Sequence, residues 1–279
     1  MCIRDSRDII ALNLKEEPQM PRYALKIEYE GSKFSGWQSQ KDQLTIQGEI
    51  ENALSRLESL NPRIFGAGRT DAGVHATGQV AHVDLSKPWD PFRLMEAINF
   101  NLKPKPIAII SASEVGTTWH ARFSALKRHY LYRLVSRRAP LTHQKNLVWQ
   151  VKYPLDLKKM REASLFLEGT HDFTTFRSTI CQSKSPIKTI DSIEISEHEV
   201  SNGLEYQFLI KAPSFLHNQI RSFVGTLERV GAGRWPPQKV KTILEKCSRS
   251  SCGPVCSPSG LYLTNVIYPE DPFLSLIHI

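Results

Sequence analysis

The order of strand and helix patterns restricts the fold of this chain most strongly, because one order occurs twice. In the first half, alternating residues predict four strands, and apolar residues spaced three and four apart predict two helices. These patterns occupy residues 23–30, 46–58, 63–66, 79–85, 90–100 and 107–113. Thr45 and Asp90 are predicted to cap the two helices. The resulting order, βαββαβ, is typical of a ferredoxin-like unit.

The second half repeats this order. Its patterns occupy residues 128–135, 156–169, 187–196, 204–211, 215–230 and 261–268, and a further helix is predicted from residue 236. Asp156 is predicted to cap the first of these helices. We therefore expect an α+β protein with ferredoxin-like halves at residues 20–113 and 114–271. Their sheets would form one extended antiparallel sheet, with helices on one face and an RNA-binding cleft on the other.

The two ends of the chain read as non-native sequence. One back-translation of the first six residues, MCIRDS, has a reverse complement that translates as the last six, LSLIHI, as expected for a library adapter read as coding sequence. Residues 7–19 are charged and have no apolar core of a signal peptide. We expect the native chain to begin at Met20, and residues 1–19 and 272–279 to lie outside the fold.

Composition narrows the class of protein and of partner. Hydrophobic residues make up 41% of the chain and charged residues 23%, as in soluble globular proteins with a core. No apolar run is long enough to span a membrane, so we expect a cytoplasmic protein without a membrane partner. The formal charge of +8 favours a polyanion, and arginines beside aromatic residues favour RNA. The alternative is that the positive charge only solvates the protein surface.

The cysteines do not follow a strong metal-binding pattern. Cys247, Cys252 and Cys256 are spaced as CxxxxCxxxC, and Cys181 is distant in sequence. Strong zinc motifs contain CxxC pairs, so we expect four free thiols and no bound metal. A zinc site is the alternative, and metal analysis of the purified protein distinguishes the two.

Two segments combine charged residues with turns or apolar stripes. In FGAGRTDAGVH, Arg69 and Asp71 are two apart, so an extended backbone would place both on one face. They then either face a ligand together or pair with each other. In FLHNQIRSFVG, His217 and Arg221 are four apart and would share one helix face. Arg221 either pairs with a carboxylate or extends to solvent.

The chain resembles the tRNA pseudouridine synthases of the TruA family in several long motifs. The matching segments are YALKIEYEGSKFSGWQSQ, AGRTDAGVHATGQVAH, HARFSALKRHYLYRL, GTHDFTTFR, FLHNQIRSFVGTLERVG and GLYLTNVIYPED. They follow the family's order and cover residues 22–271, nearly all of the expected native chain. AGRTDAGVH is highly specific to this family, whereas a lone GxG would not be.

The resemblance implies an enzyme that isomerises uridine to pseudouridine in the anticodon stem-loop of tRNA, at tRNA positions 38, 39 and 40. It implies a homodimer that needs neither a metal nor an organic cofactor. Asp71 matches the catalytic aspartate, and Arg221 matches the basic residue that pairs with it. Tyr130 matches the tyrosine that contacts the substrate, and Arg69 matches the arginine linked to base flipping. Thr70, between Arg69 and Asp71, is placed with the substrate-binding residues.

The implied chemistry fits these residue types. An ordinary aspartate is ionised at neutral pH, as the reaction requires. Asp71 attacks the base, attacks the ribose or assists elimination to a glycal, and the sequence leaves all three open. Tyr130 is suited to stack on the flipped base and to help a proton leave C5. The departures from the family pattern are Phe34, Ala76 and the cysteine-bearing loop, and none is a catalytic position.

Two other functions compete with this prediction. A non-catalytic RNA-binding module would keep the basic surface and the aromatic residues without requiring Asp71. A metal-dependent phosphoesterase would use Asp71, His75 and His82, although such sites usually contain more carboxylates. We expect His75 to be a structural residue that forms hydrogen bonds.

Overall fold

The computed structural model describes residues 20–58 and 61–274. Segment 1–19 and residues 275–279 of the expected tail lie outside this part of the chain. Within the described residues the strands are β1 (Arg22–Tyr29), β2 (Ile64–Gly66), β3 (His75–Asp84), β4 (Ile107–Val115), β5 (Lys127–Ser136), β6 (Trp149–Val151), β7 (Gly169–Asp172), β8 (Ile187–Ile190), β9 (Ser192–Val200), β10 (Gly203–Ala212) and β11 (Leu261–Ile267). The α-helices are α1 (Ile46–Leu54), α2 (Pro91–Leu102), α3 (Leu157–Ser164), α4 (Gln219–Gly231) and α5 (Lys239–Glu245).

One large sheet runs through the described part of the molecule. Its main path is β4-β1-β3-β11-β5-β10-β9, with β2 beside β3 and β6 beside β5. Most neighbours are antiparallel, as predicted, but two pairs are parallel, β5 with β6 and β3 with β11. β3 and β11 pair only at His75 with Tyr262 and Ala76 with Leu263. This short contact joins the strands of the first half to those of the second.

The predicted βαββαβ order is present in the first half, whereas the second half adds β6 between β5 and α3 and β7 after α3, so the two ferredoxin-like halves stay a prediction. β1, α1, β2, β3, α2 and β4 follow one another in the first half, and β4 and β3 flank β1. In the second half β11 and β10 flank β5, and β9 lies outside β10. The α+β class with a large, mostly antiparallel sheet is confirmed. The boundaries 20–113 and 114–271 stay a prediction, since the sheet continues across them.

Local signals in the sequence correctly located three helix starts. The Thr45 hydroxyl accepts a hydrogen bond from the Gly48 N–H, at 3.2 Å. The Asp90 and Asp156 carboxylates each accept one from the N–H three residues later, at 2.9 and 3.0 Å. Each cap satisfies a backbone donor that has no partner within the helix.

Several predicted boundaries were wrong. Strand β3 begins at His75 instead of residue 79, because pairing with β1 and β11 extends it. The strand predicted over residues 187–196 is two strands, β8 and β9, separated by Asp191, which pairs with Lys127 at 2.9 Å. α1 and α3 end earlier than predicted, and α5 begins later, at Lys239.

Helix α4 begins four residues later than predicted. Asn218 has a left-handed backbone conformation (φ 63°), which no regular helix accommodates. Residues 215–218 therefore lie outside the helix, and His217 and Asn218 form a turn directly before it. Beyond it, the Phe223 ring of α4 packs edge-on against Phe173 and Phe176, at 5.3 and 5.0 Å between ring centres.

The core holds these elements in fixed positions. Its largest fully buried side chains include Trp37, Tyr23, Tyr132, Tyr206 and Phe208. Among the described residues, no helix combines the length and apolar character that crossing a membrane requires.

Candidate active site

The segment that carries Asp71 forms a turn between β2 and β3. The Val74 N–H donates to the Asp71 carbonyl at 3.2 Å, which closes the turn. The preceding loop supports it, since the Trp37 N–H donates to the Thr70 carbonyl at 3.0 Å. Gly36 makes this contact possible: its φ is 98°, and a Cβ there would lie 2.7 Å from the Thr70 oxygen.

Thr70 lies under the turn, and its side chain is buried. Its hydroxyl forms a 2.7 Å hydrogen bond with the Tyr29 hydroxyl. Thr70 is thus bound to the sheet by its side chain and to the supporting loop by its carbonyl. Thr70 therefore positions the turn, and its role in substrate binding stays a prediction.

Asp71 is held between two basic side chains from the other half of the molecule. His217 Nε2 lies 3.2 Å from Asp71 Oδ1, and Arg221 Nη1 lies 3.5 Å from Asp71 Oδ2. The Asp71 side chain is 27% exposed, so a ligand can reach the carboxylate. The two contacts hold it in one orientation.

Arg221 has stronger hydrogen bonds than the one to Asp71. Its Nε donates to the Cys256 carbonyl at 2.8 Å, and its Nη1 donates to Asn218 Oδ1 at 2.9 Å. The guanidinium is therefore fixed inside the protein and does not extend to solvent. Of the two alternatives that the sequence left open, the pair with a carboxylate is the one found.

His217 is the site residue to which sequence reasoning assigned no role. It was expected on the same helix face as Arg221, but it reaches Asp71 from the turn before α4. The Ser178 N–H donates to the His217 carbonyl at 2.9 Å, and the left-handed Asn218 follows directly. The polar residues of FLHNQIRSFVG were a signal for the segment, yet only the fold shows that the imidazole is nearest to the carboxylate.

Arg69 does not pair with Asp71. Its side chain is exposed and its Nη1 donates to Gln182 Oε1 at 3.4 Å. Gln182 belongs to the second half, so this contact crosses between the halves beside the turn. Because Asp71 uses other partners, Arg69 is available to a ligand.

Tyr130 lies next to the turn, on β5. Its ring is buried and meets Phe215 edge-on at 5.2 Å between ring centres. A Cβ added at Gly68 would lie 3.3 Å from the Tyr130 hydroxyl, which shows how closely the glycine backbone approaches the ring. Burial raises the pKa of Tyr130 well above its ordinary value. The hydroxyl therefore stays protonated at neutral pH.

The histidines of the phosphoesterase alternative have structural partners. His75 Nδ1 accepts from the Gly31 N–H at 3.1 Å, and its Nε2 lies 3.0 Å from the Asn146 carbonyl oxygen. Burial lowers the pKa of His75, which keeps it neutral. His82 Nδ1 accepts from the Ala121 N–H at 3.2 Å. The prediction of a structural role for His75 is confirmed.

No metal-binding cluster accompanies these residues. Within the described part of the chain, no group of three or more histidine, cysteine, aspartate or glutamate side chains is arranged to hold a metal ion. The Cys256 thiol is buried, and burial raises its pKa to about 12, so it remains protonated. Cys181, Cys247 and Cys252 are free thiols as well.

A family model described as tRNA pseudouridine synthase matches residues 26–124 and 163–269. The chain therefore belongs to the tRNA pseudouridine synthase family.

Known relatives cover nearly the whole molecule. The chain is 60% identical over 254 residues to "tRNA pseudouridine synthase A" of Dinoroseobacter shibae, covering 91% of this chain and 99% of that protein. It is 59% identical over 257 residues to the protein of the same name from Paracoccus denitrificans, covering 91% and 98%.

Proposed function

We propose that this enzyme isomerises uridine to pseudouridine in the anticodon stem-loop of tRNA, with Asp71 as the catalytic carboxylate. The observation that carries the proposal is the position of Asp71. It lies partly exposed on a supported turn, with His217 and Arg221 at 3.2 and 3.5 Å. Membership of the tRNA pseudouridine synthase family supports the same activity.

The reaction requires a nucleotide to be held with its glycosidic bond at the carboxylate. The bond between C1′ and N1 breaks, the base turns, a bond between C1′ and C5 forms, the proton on C5 leaves and N1 takes up a proton. No atoms are gained or lost. Asp71 is the reacting group on this chain, and the fixed Arg221 guanidinium beside it avoids reorganisation during the reaction.

Tyr130 and Arg69 have distinct parts in this proposal. Tyr130, whose hydroxyl lies beside the glycine backbone of the turn, is the residue that contacts the bound nucleotide. A paired base must leave its helix to reach the site, at a cost of a few kcal/mol. Arg69, exposed on the same turn, is placed to occupy the space that the base leaves.

We propose in addition that the enzyme is a homodimer and that residues 20–113 and 114–271 are its two structural halves. The support for the dimer is the family resemblance. Light scattering of the purified protein tests it, and a monomer mass at micromolar concentration would contradict it. Limited proteolysis that released a stable fragment ending near residue 113 would support the division into halves.

The decisive experiment measures tritium release from C5-labelled uridine in tRNA. Wild type is compared with Asp71→Asn, which removes the charge and keeps the shape. Asp42→Asn is the matched control, since Asp42 is exposed and has a left-handed φ of 59°, which asparagine also tolerates. Wild type and Asp42→Asn should release tritium, and Asp71→Asn should not.

The other outcomes are equally informative. Tritium release by Asp71→Asn at the wild-type rate would exclude Asp71 as the catalytic group. Absence of release from every protein, with tRNA still bound, would favour the non-catalytic RNA-binding module.

A further inference from the structure

Four aromatic rings form a connected series that ends at the protein surface near the catalytic turn. We call it the aromatic ridge, and it consists of Phe65, His82, His120 and Phe123. The Phe65 and His82 rings are stacked at 5.2 Å with an interplanar angle of 20°. His120 lies 4.5 Å from His82 and 4.4 Å from Phe123, measured between ring centres. The inner rings therefore support the outermost one.

Phe123 is unusually exposed for a phenylalanine. It is 77% exposed, the largest value among the large apolar side chains of the described residues, and Phe65 is 49% exposed. Large exposed apolar groups that cluster mark binding sites more often than scattered ones do. Because His120 packs on one side of the Phe123 ring, the ring has a fixed support and a free surface.

A positive charge accompanies this ring. The Arg122 guanidinium lies 5.7 Å from the centre of the Phe123 ring. Among the described residues, no carboxylate lies within ion-pair distance of Arg122. An aromatic ring beside an unpaired arginine is complementary to a nucleotide, whose base is flat and whose phosphate is negative.

Arg128 connects the ridge to the catalytic turn. Its Nη2 donates to the Arg122 carbonyl at 2.6 Å and to the Ala67 carbonyl at 3.1 Å. Its Nη1 donates to the Pro213 carbonyl at 2.8 Å. Ala67 lies four residues before Asp71, so one half-buried guanidinium holds the loop of Phe123 against the segment that carries the catalytic carboxylate.

We propose that Phe123 is a stacking platform for an unpaired base of the tRNA substrate, next to the nucleotide bound at Asp71. Arg122 contacts a phosphate of the same strand. This inference rests on the proposed function, because it names a subsite for the same RNA. Sequence-tolerant stacking on a fixed ring would let one site accept anticodon stem-loops of different sequence.

The test measures binding and turnover separately. Affinity for an anticodon stem-loop RNA is measured by fluorescence anisotropy in the Asp71→Asn background, and turnover is measured with Asp71 intact. Phe123→Ala should weaken binding by about tenfold or more, the effect of losing one stacked base. Phe123→Trp should bind at least as tightly as phenylalanine does. Phe100→Ala is the matched control, since Phe100 is 75% exposed on α2, a helix that packs against β4 and α1.

Tryptophan at this position gives a direct signal of stacking. The tryptophan introduced in Phe123→Trp adds its fluorescence to that of the native tryptophans. This added fluorescence should be quenched when RNA binds. Phe123→Ala with wild-type affinity, or an unquenched Phe123→Trp, would overturn the proposal. An equal loss of RNA affinity in Phe123→Ala and Phe123→Trp, together with a changed oligomeric state, would also overturn the proposal. It would identify Phe123 as part of a protein interface. Thermal melts verify that each variant is folded.

Failure of the platform and failure of the proposed function are distinguishable. If wild type forms no pseudouridine, the proposed function fails, while the binding measurements still test the platform. If wild type is active and Phe123→Ala binds and turns over like it, only the platform is refuted.

Discussion

Gly78 lies where β3 meets β11, and its replacement by alanine tests whether this joint aligns the active site. A Cβ at Gly78 would lie 2.0 Å from the Thr264 carbonyl oxygen. Carbon and oxygen atoms that face each other across neighbouring strands stay about 3.3 Å apart or more. The two strands would therefore have to separate by about 1 Å in Gly78→Ala.

Separation of the two strands would move Asp71 away from its two partners. Asp71 belongs to the first half, and His217 and Arg221 belong to the second. A displacement of about 1 Å lengthens the 3.2 and 3.5 Å contacts beyond ion-pair distance. Misplacement on this scale lowers a catalytic rate by about 100-fold, and the strain costs about 1–3 kcal/mol of folding free energy.

The assay is the single-turnover rate of pseudouridine formation with saturating enzyme, together with urea unfolding. Gly116→Ala is the control, because no atom of the described residues lies within 4 Å of a Cβ added there. The control should retain the wild-type rate and stability. A wild-type rate in Gly78→Ala would refute the argument that the β3–β11 joint aligns the site.

Three further outcomes are expected. Arg221→Ala should lower kcat by about 100-fold or more, since the carboxylate loses a fixed charge and the Cys256 carbonyl loses its donor; a near-normal kcat would mean that the role of Arg221 is misassigned. His217→Gln, which replaces the imidazole beside Asp71 with an amide, should lower the single-turnover rate by about fivefold, and an unchanged rate would show that the contact between His217 and Asp71 contributes nothing. Burial lowers the pKa of His82 to about 4 from an ordinary 6.5, so neutral His82 favours the folded state above pH 6.5. Up to about 3 kcal/mol of stability is then lost as the pH falls from about 6.5 to about 4. When urea unfolding is measured over this pH range, His82→Gln should lose less free energy of unfolding than wild type does. An equal loss in both proteins would contradict the assignment of this pH dependence to His82.

The elements of this fold that short-range signals specify were predicted correctly from the sequence. Thr45, Asp90 and Asp156 cap the helices at which they were predicted, because a cap involves only a side chain and a backbone N–H three residues away. The α+β class followed from the periodicity of apolar residues, which also depends on short windows. Boundaries that depend on tertiary pairing, such as the start of β3, were wrong.

In the candidate site, too, local sequence predicted one part and only the tertiary structure showed the other. The FGAGRTDAGVH motif by itself indicated the turn and its aspartate, since glycines and charged residues adjoin in sequence. The partners of Asp71 required the fold: Arg221 is 150 residues away and His217 lies in a turn that had been predicted as helix. Contacts between residues so far apart in sequence depend on the pairing of β3 with β11, which joins the two halves of the sheet. No local pattern encodes that pairing, and only the packed tertiary structure brings the two halves of the site together.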